Sequence, residues 1–388
     1  MRTRVVLSVL GFSLVLAAQS TSRLTINPAT PWGAALQDIV SEVEESKKLE
    51  RIDDFFASFA ADPRRRDALL WLLPQKQNIL VKRQQHVLVM EAAEKFLVLD
   101  PNNETGDALP LMVNALKAAE ARKDVPAVRS WSLRTSTLAR AAMGPKTPEE
   151  SDAAARERQD YVRQVDIYTE YAIANAALQY ASEVQAPELL TLLEKQNARS
   201  AYLPQACQGA FGALKKQNQL EAAATTAERC FERKAASEEM LIVAADFYLR
   251  KNTAPDRVIR FSEGAVALLA QRPKPEGTGE TAWKQRRDLL LGLAHWMAGV
   301  TYSAQNQFAS ADEQLRFALP LVESNPELLA PALFHLGLAN FRLGEKTKDR
   351  ARLTDAARFS QRCAAIRSPL QAQAAKNVQV IQQQFGIR

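Results

Sequence analysis

The residues through which this chain could do chemistry are few. Three histidines stand in the whole sequence, His86, His295 and His335, and no two share a metal-ligand spacing such as H-E-x-x-H. There is no phosphate-cradling P-loop, no G-x-G-x-x-G after a strand, and no G-x-S-x-G around a nucleophilic serine. Carboxylates are plentiful, 44 in all, but they fall on solvated helix faces rather than in one convergent group. The expectation is a protein that is not an enzyme and holds neither metal nor cofactor. What remains is binding chemistry, which residue types alone do not place.

Such residues must be positioned by helices. Ala, Leu, Gln, Glu, Lys and Arg dominate the 388 residues, glycine is limited to 14, and β-branched runs are absent after the N-terminus. The net charge is +6, falling to +4 for residues 21–388, which is only weakly suggestive of nucleic acid. No nucleic-acid partner is expected.

The N-terminus reads as an export signal. Arg2 and Arg4 form a short positive region, Val5–Leu16 is apolar, and Ala17-Ala18-Gln19-Ser20 supplies small residues for cleavage after Ala18 or Ser20. A membrane anchor is the competing reading, but spanning takes roughly 20 apolar residues. Residues 1–20 are therefore expected to be removed, leaving a periplasmic or secreted chain with no transmembrane span. Residues 21–31 read as a flexible lead.

From Trp32 onward, apolar positions recur with helical spacing. Leu36, Ile39, Val40, Ile52 and Phe55 predict a helix or helix pair over 32–58. Residues 68–100 and 107–142 give further hairpins, the second turning near Lys123–Pro126. Together 32–142 form an N-terminal helical region. Gly144-Pro-Lys-Thr-Pro148 marks a linker over 143–148. Residues 149–270 predict a charged helix over 149–162, a pair over 168–180 and 187–196, and two hairpins turning at Asn218 and near Asn252. The Pro- and Gly-rich 271–280 must be a loop, and 281–287 lengthens the helix after it. Over 367–388 a Gln- and Ala-rich helix, with Ala372, Ala375, Val378 and Ile381 on one side, reads as a cap.

The clearest pattern lies in 281–366. One hairpin carries His295, Trp296, Gly299, Tyr302, a turn at Asn306, then Phe308, Ala311, Leu315 and Ala318. The next carries Leu333, Leu336, Gly337, Ala339, Phe341, a turn at Gly344, then Ala356 or Ala357, and Ala364. Small residues at a helix crossing let the backbones approach: Gly299 is expected against Ala311, and Gly337 against Ala356 or Ala357. One hairpin cannot bury its apolar faces alone, so the unit must recur. From Phe211 to Ala244, Gly299 and Gly337 the steps are 33, 55 and 38 residues, the longer two holding an insertion and a lengthened turn.

This order of small residue, aromatic, turn and paired alanines resembles the tetratricopeptide repeat, with its W-x2-L-G-x2-Y and A-x3-F signature and period of about 34 residues. Trp296 and Phe341 each fall one place late for it. The resemblance implies an all-α fold, a superhelical array of antiparallel helix hairpins (an α-solenoid) whose concave face binds a protein or peptide. Carried over position by position, the groove residues are Gln208, Lys215 and Lys216, Leu241 and Tyr248, Trp296 and Val300, and Phe334, Phe341 and Arg342. Each aromatic has a plainer reading as packing between repeats, so the resemblance makes Lys215 and Lys216 the better candidates for a ligand-facing role, their cations suiting an acidic segment or a carboxylate terminus. The implied function is a non-catalytic exported scaffold for protein–protein interaction. With the export signal, an adaptor in cell-envelope assembly or polysaccharide export is the alternative. Cys207 and Cys230 fall on the two helices of one hairpin, Cys230 where the repeat uses alanine. They are either small buried packing residues or a disulfide that an exported chain would keep.

Overall fold

The computed structural model describes residues 24–148 and 150–387. The 1–20 segment read as a signal peptide, and the start of the lead, lie outside them. The described residues form 17 α-helices and no strand. They divide into two compact units, one up to Ala176 and the other from Ala177 onward.

The first unit holds α1 (Pro31–Ser41), α2 (Glu45–Ser58), α3 (Arg65–Lys82), α4 (His86–Leu99), α5 (Ala108–Ala121), α6 (Val125–Ala142) and most of α7 (Asp152–Gln179). The Thr30 hydroxyl caps α1 by accepting from the Gly33 amide at 3.0 Å, and Pro31 opens the helix. Trp32, Leu36, Ile39, Ile52, Phe55 and Leu72 close a core onto which Leu24 and Ile26 pack, so the described end of the lead is held against the fold. The two helices expected over 149–162 and 168–180 are joined: Asp152–Gln179 is one continuous helix, α7, of 28 residues. No glycine or proline interrupts them, so nothing in the chain stops the helix between the two segments.

The second unit holds the last residues of α7, then α8 (Gln185–Gln196), α9 (Leu203–Lys216), α10 (Leu220–Glu232), α11 (Glu238–Arg250), α12 (Pro255–Gln271), α13 (Glu280–Ala304), α14 (Phe308–Val322), α15 (Pro326–Thr347), α16 (Arg350–Ala364) and α17 (Gln371–Phe385). From α8 to α17 each helix packs on the next, and α11, α13 and α15 also touch as alternate neighbours. Turns are made by residues in the left-handed region: Asn218 (φ 56°), Asn252 (φ 51°), Asn306 (φ 60°) and Lys348 (φ 58°). Asparagine tolerates that region best among residues with a side chain.

Gly344 is not the turn; it stays inside α15, and the turn falls at Lys348. A Cβ on Gly344 would lie 2.9 Å from Leu353 Cγ, so its role is close approach to α16. Gly299 meets Leu315 rather than Ala311, with a Cβ there only 2.5 Å from Leu315 Cγ. Gly337 sits against Ser360 and the Ala356 carbonyl. On α17 the buried residues are Ala374 and Ile381, while Ala372 and Ala375 face solvent. The packed stripe is thus shifted from the alanines read in the sequence, because Ile381 and Ile387 dock into the pocket formed by Leu353, Ala356 and Ala357. No helix among the described residues is long and apolar enough to cross a membrane.

Candidate functional site

Cys207 on α9 and Cys230 on α10 are joined by a disulfide, their Cα atoms 6.2 Å apart and both side chains fully buried. Cys363 is a buried free thiol whose pKa burial pushes up, and it donates to the Ala330 carbonyl at 3.3 Å. The disulfide pins the base of the helix that carries the lysine pair.

Lys215 and Lys216 lie in the last turn of α9. With Gln208 and Gly212 on α9, Glu183 ahead of α8, and Ser237, Glu239 and Met240 at the start of α11, they line a cleft of about 470 Å³. Its walls come from α7, α9 and α11, with Ala186 of α8 at the edge. Gly209 in that wall is dictated by packing, since a Cβ would sit 2.3 Å from the Ala177 carbonyl. Gly212 is not: nothing lies within 4 Å of its Cβ position. Lys215 pairs with Glu239 at 3.3 Å and lies over the Phe211 ring at 5.5 Å. Arg286 of α13 reaches the same Glu239 at 3.4 Å. Lys216 is exposed and has no ion-pair partner among the described residues. The cleft also receives the N-terminal end of α11, capped by Ser237. An anion entering here meets Lys216 and a Lys215 held only by a solvent-exposed pair, beside Glu183 and Glu239 and at a helix N-terminus whose first turn already carries Glu238 and Glu239.

A second cleft, of about 510 Å³, opens on the other side of α11. Ile242, Val243, Leu249, Leu293, Met297 and Trp296 make it largely apolar, with Asp246 and Arg250 at its rim. The Trp296 indole N–H donates to the Leu328 carbonyl at 2.9 Å, which fixes the ring as a wall.

The other groove positions named from the sequence lie elsewhere. Tyr248 is buried, 8% exposed, its hydroxyl accepting from Arg257 at 2.9 Å, so it is closed to a partner. Leu241 and Val300 are buried as well. Phe334 packs against the core shared by α13 to α17. Phe341 stacks edge-on with Phe385 of α17, which covers it. Arg342 is exposed and pairs with Glu345 at 3.5 Å. The cleft residues that the sequence reading missed are Glu239, Val243, Asp246, Leu249 and Leu293. For Glu239, Val243 and Asp246 the signal was present as the i, i+4, i+7, i+11 spacing they share with Arg250 on one helix stripe; Leu249 and Leu293 had no such signal.

Two histidines are accounted for by packing. His295 stacks on Phe317 and its Nδ1 shares a hydrogen bond with Gln314 at 2.7 Å. His335 Nδ1 meets the Ser303 hydroxyl at 2.9 Å, and burial pushes its pKa down to about 4. Among the described residues, no group of three or more His, Cys, Asp or Glu is placed to hold a metal ion.

No protein-family model matches the chain, and no curated protein is similar to it in sequence. The class that the structure defines is an all-α protein of consecutively packed helices.

Proposed function

We propose that this chain is a non-catalytic scaffold of tetratricopeptide-like helix hairpins that binds a protein or peptide partner on the face formed by the odd-numbered helices of its second unit. The observation that carries this reading is the cleft between α7, α9 and α11, where Gln208, Lys215 and Lys216 come together. Alternate contacts among α11, α13 and α15 are what neighbouring repeats of a solenoid would make on their inner face. Export to an oxidising compartment is part of the same reading, and the buried Cys207–Cys230 disulfide supports it.

Binding needs little rearrangement. Surface ion pairs are worth at most about 1 kcal/mol, so an incoming carboxylate displaces Lys215 from Glu239 cheaply. Glu239 keeps Arg286 when Lys215 turns away. The test is an affinity capture by residues 21–388 from envelope extract, with Lys215→Glu/Lys216→Glu as control. A partner captured by the natural sequence and lost from the charge-reversed one is the expected outcome. A partner retained equally by both removes the lysine cleft from the binding site.

A further inference from the structure

The two clefts flank one helix, and the ridge between them is patterned. Glu239, Val243, Asp246 and Arg250 run along the outward stripe of α11. Glu239 is taken by Lys215 and Arg286. Asp246 and Arg250 are taken by each other at 2.8 Å. Val243 is the one uncharged, half-buried position on that ridge, so a chain can cross there without desolvating a charge. On one side the ground is mixed: Lys215 and Lys216 stand with Glu183 and Glu239, and Lys216 has no ion-pair partner among the described residues. On the other it is apolar, and because the Trp296 N–H is already spent on Leu328, that wall makes no polar demand on a ligand.

We propose that one extended peptide segment occupies both clefts. It sets an acidic side chain against Lys215 and Lys216, crosses α11 over Val243, and buries a large apolar side chain between Leu249, Leu293 and Trp296. This deepens the reading of the odd-helix face as a peptide site and rests on it. Gly212 supports the arrangement: a mid-helix glycine costs about 1 kcal/mol, no packing contact requires it, and it leaves the floor of the first cleft open to a close backbone approach.

The geometry sets a register. Adjacent helix axes lie about 10 Å apart. From the level of Met240 to that of Asp246 the helix rises roughly 9 Å, at about 1.5 Å per residue. The diagonal is then roughly 13 Å, which an extended chain covers in about four residues at ~3.3 Å each. The ligand is therefore a segment whose acidic and apolar side chains stand about four residues apart.

Fluorescently labelled peptides, acetylated and amidated at their ends, test this on the full chain. Each carries two glutamates and one leucine or tryptophan in a Gly/Ser background, with offsets from two to eight residues. Affinity is expected to peak near an offset of four. Replacing the apolar residue by serine, or introducing Leu293→Gln, is expected to weaken binding about tenfold at that offset. Lys215→Glu/Lys216→Glu should weaken all offsets. Because the offset series needs no variant of the protein, it does not depend on how well Leu293→Gln folds. If affinity is flat across offsets and indifferent to the apolar residue, yet still falls with the lysine reversal, the two-cleft ligand is wrong and the peptide site at the lysines stands. If no peptide binds at about 1 mM, both are wrong.

Discussion

Two glycines of the second unit show how one residue type answers to opposite constraints. Gly299 lies at a helix crossing where a methyl group would meet Leu315 at 2.5 Å, whereas Gly212 faces open space. Gly299→Ala should destabilise by about 1–3 kcal/mol through overpacking. Gly212→Ala should stabilise by about 0.5–1 kcal/mol through helix propensity and a less free unfolded chain. Urea denaturation of both variants measures the contrast, and a shared sign would contradict it. His335 gives a pH signature. Its folded pKa, about 4, lies below its ordinary 6.5. Between those values the unfolded chain takes a proton that the folded chain refuses, so stability rises with pH across that window and levels off above it. Relative to His335→Gln, the natural chain should lose on the order of 1–3 kcal/mol between pH 7 and pH 4. Parallel denaturation curves for the two proteins across that range would show that His335 is not the group responsible.

At the scale of elements, the Cys207–Cys230 bridge ties α9 to α10 over a sequence separation of 23. Closing a loop of that length is worth about 3 kcal/mol on the chain-entropy account. Cys207→Ala/Cys230→Ala should therefore lower the midpoint of thermal unfolding. The denatured, unreduced protein should titrate one thiol, Cys363, and three after reduction. Three before reduction would mean no bridge exists. The bridge was open in the sequence because repeat register alone placed the two sulfurs about a helical turn from a facing pair. Much of the helix plan was legible, since Asn218, Asn252 and Asn306 sit in turns and glycines mark helix crossings. Its errors are local. Gly344 looked like a turn because glycine serves turns and crossings alike, and the deciding contact, Leu353, is nine residues further on. For the candidate site, the lysine pair was readable only through the repeat register, which carried groove positions onto Gln208, Lys215 and Lys216; adjacent cations alone do not single it out, since Lys47-Lys48 and Arg286-Arg287 are others. The apolar cleft was not readable, because Leu249, Leu293 and Trp296 converge from two helices, α11 and α13, with all of α12 and the 272–279 loop between them in the chain.

At the scale of the whole molecule, helices touch their sequence neighbours and, in places, the next but one. In the second unit each helix from α8 to α17 packs on the next, so the last pair, α15 and α16, needs something to cover its outer side. For α16 the cover is α17, whose Ala374 and Ile381 are buried while Gln371, Gln373, Gln382 and Gln383 face solvent. Without it, Leu353, Ala356, Ala357 and Phe341 would form an uncovered apolar step on α15 and α16. Such a step is complementary in kind to the start of a helix pair on another copy, and a head-to-tail contact of that sort does not close on itself. Loss of α17 is therefore expected to change association state as well as stability. A chain ending at Ile366 should sediment as species that grow with concentration, where the full chain gives one species of constant size. By this account, the helix with the least to offer a ligand is the one that keeps each copy from polymerising with the next.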